Sequence, residues 1–292
     1  RINPDHFNKV DLVGIKKITD NVNSNVEERA YGYFILAIDE RKKNNIENEI
    51  KYLNFGHDLI FNSNPIYIND NKYWTNYIPK KFFNKIKFIN PKKNIEEKNN
   101  LSPIFVMGLP RSGTTLVESL ISSNKRKIDN YGETFIIPNV IKKILENNSD
   151  ELLLDISSIK SKVCKEYLKI SYNREMKSTL FVDKTLENIF FIDIIKEIFP
   201  LSKIIVCERD YFDSFVAIFQ QCLQGLSWAH KKSSILQYIQ NFHNFVKKIK
   251  KQKNKNIHFV DLIELTENPK LISRKIFEFC DLDWDASVLK FY

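Results

Sequence analysis

Gly108 and Gly113 close the apolar run Ile104-Phe105-Val106-Met107, and Thr114 and Thr115 follow at the spacing of a phosphate-binding loop. Such a loop turns successive backbone N–H groups, here from Arg111 to Thr115, inward at a helix start. There the unpaired amides and the helix dipole favour an anion. Glycine adopts backbone angles that a Cβ forbids and lets phosphate oxygens approach the main chain. Thr114 and Thr115 add hydroxyl donors, but Thr114 stands where nucleotide triphosphatases need a lysine for the β- and γ-phosphates. The loop therefore suits a shorter anion carrying an extra group, with Arg111 supplying charge from inside. An ordinary turn is the alternative, disfavoured by the arginine and the paired threonines.

Two basic residues follow apolar runs further on. Lys184 comes after Phe181-Val182-Asp183 and Arg209 after Ile204-Ile205-Val206-Cys207-Glu208. Strand C-termini of open α/β sheets are where ligands bind, so both are candidates for an anion. The bland alternatives are a surface lysine and a surface pair of Arg209 with Glu208 or Asp210. Glu133, on residue type alone, reads as a solvated loop carboxylate.

These residues need a scaffold, and the alternation of apolar runs with helical periodicity supplies one. Strands are expected at 104–107, 179–182, 203–207 and 257–260. Helices are expected at 114–123, 136–147, 157–172, 186–199, 211–224, 235–250 and 269–280, with Pro200 stopping the fourth. The fold class is α/β: a P-loop-like, three-layer parallel sheet flanked by helices, with right-handed crossovers and an N-terminal helical segment. Residues 101–292 would form the main domain and 1–100 a helical region and connector. Within the latter, 26–60 carry helical periodicity in two runs around Lys42-Lys43-Asn44-Asn45, a hairpin. Residues 62–100 read as turn-rich, with 94–100 a solvated connector.

The 292 residues, 43% hydrophobic, suffice for a full α/β core. The net charge of +9 suits anionic ligands, but the excess lysines are scattered through Asn-rich stretches, so nucleic acid is not implied as a partner. No apolar run approaches the ~20 residues of a membrane span, and no signal peptide is visible. Cys164, Cys207, Cys222 and Cys280 are widely spaced and read as reduced core thiols of an intracellular protein, with a cytoplasmic location expected for a bacterial source. The five histidines form no ligand motif, and no metal site is expected.

The motifs carry a resemblance. Pro110-Arg111-Ser112-Gly113-Thr114-Thr115 resembles the 5′-phosphosulfate loop of sulfotransferases that use 3′-phosphoadenosine 5′-phosphosulfate. Gly132-Glu133-Thr134-Phe135-Ile136-Ile137-Pro138 is similar to the segment holding the general base in tyrosylprotein sulfotransferases, and Phe181-Val182-Asp183-Lys184 to the strand end holding a catalytic lysine. The run from Ile204 to Asp210 resembles the strand and turn that present an arginine to the 3′-phosphate. That from Phe277 to Asp285 resembles the C-terminal helix and turn of bacterial relatives. Residues 46–56 faintly resemble the tetratricopeptide unit that precedes many bacterial sulfotransferase domains, although a plain helical pair fits equally.

The resemblance implies transfer of a sulfuryl group from that cofactor to an acceptor hydroxyl on a peptide tyrosine, a glycan or a small molecule, leaving 3′,5′-adenosine bisphosphate. It implies Glu133 as base, Lys184 and Arg111 as charge stabilisers, and Arg111, Ser112, Gly113, Thr114 and Thr115 around the 5′-phosphosulfate. Arg209 would hold the 3′-phosphate, and no metal would be required. Two positions depart from the pattern. Ala217 stands where the family has a serine, for which Ser214 could substitute, and Leu262 where relatives carry tyrosine. A cofactor-covering loop would lie beyond Tyr292. Two other classes stay open: a P-loop kinase of a small metabolite, with Lys184 replacing the loop lysine and Asp183 binding metal, and a noncatalytic scaffold.

Overall fold

The computed structural model describes residues 9–84, 86–89, 101–124, 128–147, 153–175 and 178–290. The chain forms two compact units, residues 1–79 with 211–241 and residues 80–210 with 242–292.

The first unit begins with helices α1 (Lys9–Asp20), α2 (Val26–Lys42), α3 (Ile46–Ser63) and α4 (Ile66–Lys72). A π-helical turn, Tyr73–Tyr77, then leads into α5 (Ile78–Phe83), along which the chain passes into the second unit. Asn25 caps α2 by accepting from the amides of Glu27 and Glu28, and the acidic first turn and basic last turn match the helix dipole. α2 packs along α3 where Gly56 sits, since a Cβ there would lie 2.9 Å from the Phe34 ring and 3.2 Å from the Ala30 carbonyl. This is the hairpin expected at 26–60. The helices at 66–83 replace the turn-rich reading of that stretch, while 94–100 lie outside the described residues.

In the second unit the order is β1 (Lys87–Ile89), β2 (Ser102–Gly108), α6 (Thr114–Ser122), β3 (Asp129–Gly132), α7 (Ile136–Asn147) and β4 (Leu153–Asp155). Then come α8 (Ile156–Asn173), β5 (Leu180–Asp183), a 3₁₀ turn at Leu186–Phe191, α9 (Ile192–Ile198) and β6 (Lys203–Glu208). After β6 the chain enters the first unit through α10 (Tyr211–Phe219) and returns along α11 (Lys232–Lys251) to β7 (Ile257–Asp261), α12 (Leu262–Glu267) and α13 (Pro269–Phe279). The main sheet is wholly parallel, in the order β3-β5-β2-β6-β7. Its continuous apolar strands are buried on both faces, as crossover helices require. Ile104, Val106, Val182 and Ile205 form one core with Val117 and Ile121 of α6 and Ile276 and Phe277 of α13. β1 and β4 form a separate parallel pair.

Further expectations change. β3 is an additional edge strand, whose polar sequence Asp-Asn-Tyr-Gly carries no strand signal. The helix expected at 186–199 begins as a 3₁₀ turn. The one expected at 211–224 ends at Phe219, because the imidazole Nε2 of His57 donates to the Phe219 carbonyl at 2.8 Å and turns the chain there. Beyond it, Gln220 bonds Glu49 at 3.1 Å and Ser227 bonds Asp70 at 2.6 Å. His57 Nδ1 meets His230 Nδ1 at 3.0 Å in the same buried core.

Candidate active site

The phosphate-type loop runs from the end of β2 to the start of α6. Gly108 admits no side chain: a Cβ would lie 2.6 Å from Ser112 Oγ and 2.7 Å from the Cys207 carbonyl. Arg111 and Gly113 take left-handed backbone angles, φ 68° and 90°, so the loop reverses direction twice before Thr114. Ser112 is buried and its hydroxyl donates to the Leu109 carbonyl at 2.7 Å, bracing the loop from inside. The amides of Gly113, Thr114 and Thr115 stand at the start of α6, where a helix leaves its first N–H groups without intrahelical partners. Arg209, just past β6, donates from Nη1 to the Arg111 carbonyl at 3.1 Å, which fixes the exposed corner of the loop.

The second half of the site comes from the ends of β3 and β5. Gly132 and Phe135 are left-handed, at φ 68° and 54°. A phenylalanine in that region is strained, so its surroundings must hold it. Thr185 does so: its Oγ1 accepts the amides of both Thr134 and Phe135 at 3.1 Å. The Asp183 carboxylate accepts the Thr134 hydroxyl at 2.6 Å, the Tyr167 hydroxyl at 2.7 Å and the Thr185 amide at 2.8 Å. Burial raises the Asp183 pKa against the pull of these bonds, and burial holds the Tyr167 hydroxyl well above its ordinary value. Lys184 lies between the two anchors. Its amide bonds the Gly132 carbonyl at 2.9 Å, and its Nζ meets Glu133 Oε1 at 2.5 Å. The lysine side chain is 9% exposed and that of the glutamate 42%, so the pair forms a mouth with its cation inside and its carboxylate outside.

Sheet order then places these parts together. All five strands are parallel, so Glu133, Lys184, the loop and Arg209 leave the same edge, in the spatial order β3, β5, β2, β6. One strand spacing, about 4.8 Å, separates neighbours, and the glycine loop lies between Lys184 and Arg209.

The sulfotransferase family profile matches residues 103–286, well over half of the chain. The chain belongs to the sulfotransferase family. A curated protein of Aquifex aeolicus, described only as uncharacterized, is 30% identical over 205 residues, which cover 65% of this chain and 27% of that protein. The chain therefore spans about a quarter of the length of that relative. Among solved structures, sulfotransferase STF1 of Mycobacterium tuberculosis is 12% identical, with 99% of this chain and 93% of that one covered and a TM-score of 0.42. The sulfotransferase domain of the Synechococcus PCC 7002 olefin synthase is 16% identical over 68% and 80% of the two chains, with a TM-score of 0.45.

Other residues of this sulfotransferase were harder to foresee. Glu118 lies four residues after Thr114 on α6, buried, with Lys184, Glu133 and Asp183 as its charged neighbours. Burial raises its pKa more than Lys184 lowers it, and Asn130 hydrogen-bonds its carboxyl group. Thr134 and Thr185 flank Glu133 and Lys184 in the sequence, and their side chains anchor the turn. Ser214 is fully buried on α10 of the first unit, with no hydrogen-bond partner for its Oγ among the described residues. Leu262 covers the loop, its Cδ1 2.7 Å from where a Cβ on Gly113 would stand. Among the described residues, no helix is long and apolar enough to cross a membrane, and no cluster of three or more His, Cys, Asp and Glu side chains is arranged to hold a metal ion.

Proposed function

We propose that this sulfotransferase moves a sulfuryl group from 3′-phosphoadenosine 5′-phosphosulfate to an acceptor hydroxyl. The observation that carries the reading is the Glu133–Lys184 pair, held one strand away from a phosphate-type loop that lacks a lysine. The residues present fit the cofactor: Gly108 leaves no room for a Cβ and brings the main chain close, and the α6 amides with Arg111 offer donors to a 5′-phosphosulfate. The cofactor, when bound, supplies an activated sulfuryl group on a phosphate oxygen. Glu133, the more exposed partner, takes the proton of the acceptor hydroxyl. Lys184 and Arg111 stabilise the negative charge that grows on the leaving side, and Arg209 holds the 3′-phosphate.

The kinase alternative loses its metal ligand, because Asp183 is fully buried and committed to Thr134, Tyr167 and Thr185. Isothermal titration separates the readings. The chain is expected to bind 3′,5′-adenosine bisphosphate with one site, and ATP with magnesium much more weakly. Glu133→Gln keeps that binding but lowers turnover about 10²- to 10⁴-fold, the usual scale of general-base catalysis. Tight ATP binding together with no bisphosphate binding would sink the proposal.

A further inference from the structure

A cleft of about 910 Å³ opens beside the catalytic mouth, between α7 and α8, and Thr134 forms part of its wall next to Glu133. We infer that this cleft is the acceptor site and that it takes an aliphatic chain, with the reacting hydroxyl at the Glu133 end and an anionic group about 10 Å away. The inference rests on the sulfotransferase reading for its reaction, but not for its ligand chemistry.

Three features select this occupant. The floor is aliphatic, made by Ile136, Val140 and Ile144 of α7 and Ile159 and Ile170 of α8, with no aromatic ring among the described lining residues. It offers apolar contact to a saturated chain and no face on which a sugar or aromatic ring would stack. The rim is cationic, from Lys143 on α7 and Lys162 and Lys165 on α8, with Lys169 paired to Glu166. The two acids of the lining are already engaged: Asp155 caps α8 through the Ser157 and Ser158 amides, and Glu166 pairs with Lys169 at 2.7 Å.

The helices also fix the direction. The C-terminal part of α8 lies near the catalytic mouth, since the Tyr167 hydroxyl reaches Asp183 and Arg174 reaches the Tyr131 carbonyl. Seven residues of α7 separate Ile136 from Lys143, which at about 1.5 Å each places the lysine about 10 Å along the cleft. Lys162 lies five residues before Tyr167 on α8, about 7.5 Å back from the mouth along that helix. The volume falls within the range of about 300–1,000 Å³ typical of small-molecule sites.

The test is direct binding to the full chain by isothermal titration, with and without bound 3′,5′-adenosine bisphosphate. The probes are ω-hydroxydecanoate, decanol and ω-hydroxydecyl trimethylammonium, all below their micelle concentrations. The carboxylate is expected to bind most tightly and the ammonium least. The double charge reversal Lys143→Glu with Lys162→Glu, both exposed, should weaken the carboxylate about tenfold and leave decanol unchanged. Ile144→Asp should weaken decanol as well. Equal binding of carboxylate and ammonium, insensitivity of the carboxylate to the double reversal, or no binding of any probe would overturn the inference. Titration of the bisphosphate alone reports on the sulfotransferase reading, so the two failures are distinguishable.

Discussion

Replacing Thr185 with valine keeps the shape of the side chain but removes the one oxygen that accepts the amides of Thr134 and Phe135, each at 3.1 Å. Thr185 itself is fully buried, so no water replaces that oxygen from its own side. A buried donor left unsatisfied costs about 1–3 kcal/mol. Thr134 and Phe135 are only half-buried, which puts each amide near the lower bound and their sum at about 2 kcal/mol. For a unit of this size, roughly 180 residues, that is a fall in Tm of about 4–8 °C. Thr185→Ser retains the oxygen and should cost less than half as much. The assay is urea and thermal unfolding of the three proteins, followed by far-UV dichroism. The left-handed Phe135 relaxes once its anchor is gone, so Glu133 loses its place beside Lys184 and turnover falls in the valine variant while the serine variant stays active. If valine and serine destabilise equally, the turn is held by something other than Thr185 and the account of how Glu133 is positioned is wrong.

Gly108→Ala forces a Cβ to within 2.7 Å of the Cys207 carbonyl, so urea unfolding should show a loss of about 1–3 kcal/mol and the bisphosphate should no longer bind by titration. Arg209→Ala should weaken 3′,5′-adenosine bisphosphate far more than adenosine 5′-phosphate, by about 1.5–3 kcal/mol. Equal losses would mean that its bond to the Arg111 carbonyl is its whole role. Burial lowers the pKa of His230 to about 4 and lowers that of His57 below the usual 6.5. As pH falls below about 6.5, the unfolded chain therefore takes up protons that the folded one refuses, and stability is lost down to about pH 4, by about 3 kcal/mol for His230. Urea midpoints measured across this range should show that loss, and the His57→Phe, His230→Leu double variant should flatten it; an unchanged pH profile refutes the assignment.

The sequence carried the main sheet well where strands were buried on both faces. Ile104 to Met107 and Ile204 to Cys207 are unbroken apolar runs, and both became neighbouring central strands. β3 was illegible because it is an edge strand whose residues Asp129, Asn130 and Gly132 have low strand preference; pairing with β5 alone makes it one. The loop showed in its glycine spacing, since backbone geometry there demands particular residue types. Lys184 and Glu133 could be named singly, but their contact joins positions 51 residues apart and depends on that unforeseen strand. The supporting roles of Thr185 and Asp183 depend on burial and on partners distant in sequence, which residue type alone does not show. The exit of α10 at Phe219 was misplaced because His57, far away in sequence, takes the carbonyl that would have continued the helix.

The first unit is interrupted in sequence by roughly 130 residues of the second. During synthesis at about 5–20 residues per second, α1 to α4 leave the ribosome some 7–26 s before Tyr211 to Asn241 follow. Until then His57 lacks His230, Glu49 lacks Gln220, and Asp70 lacks Ser227. The nascent helical hairpin thus waits with an unfinished core while the parallel sheet begins to form behind it. Translation speed through the intervening segment, and chaperones that shelter the waiting helices, become determinants of yield for this protein.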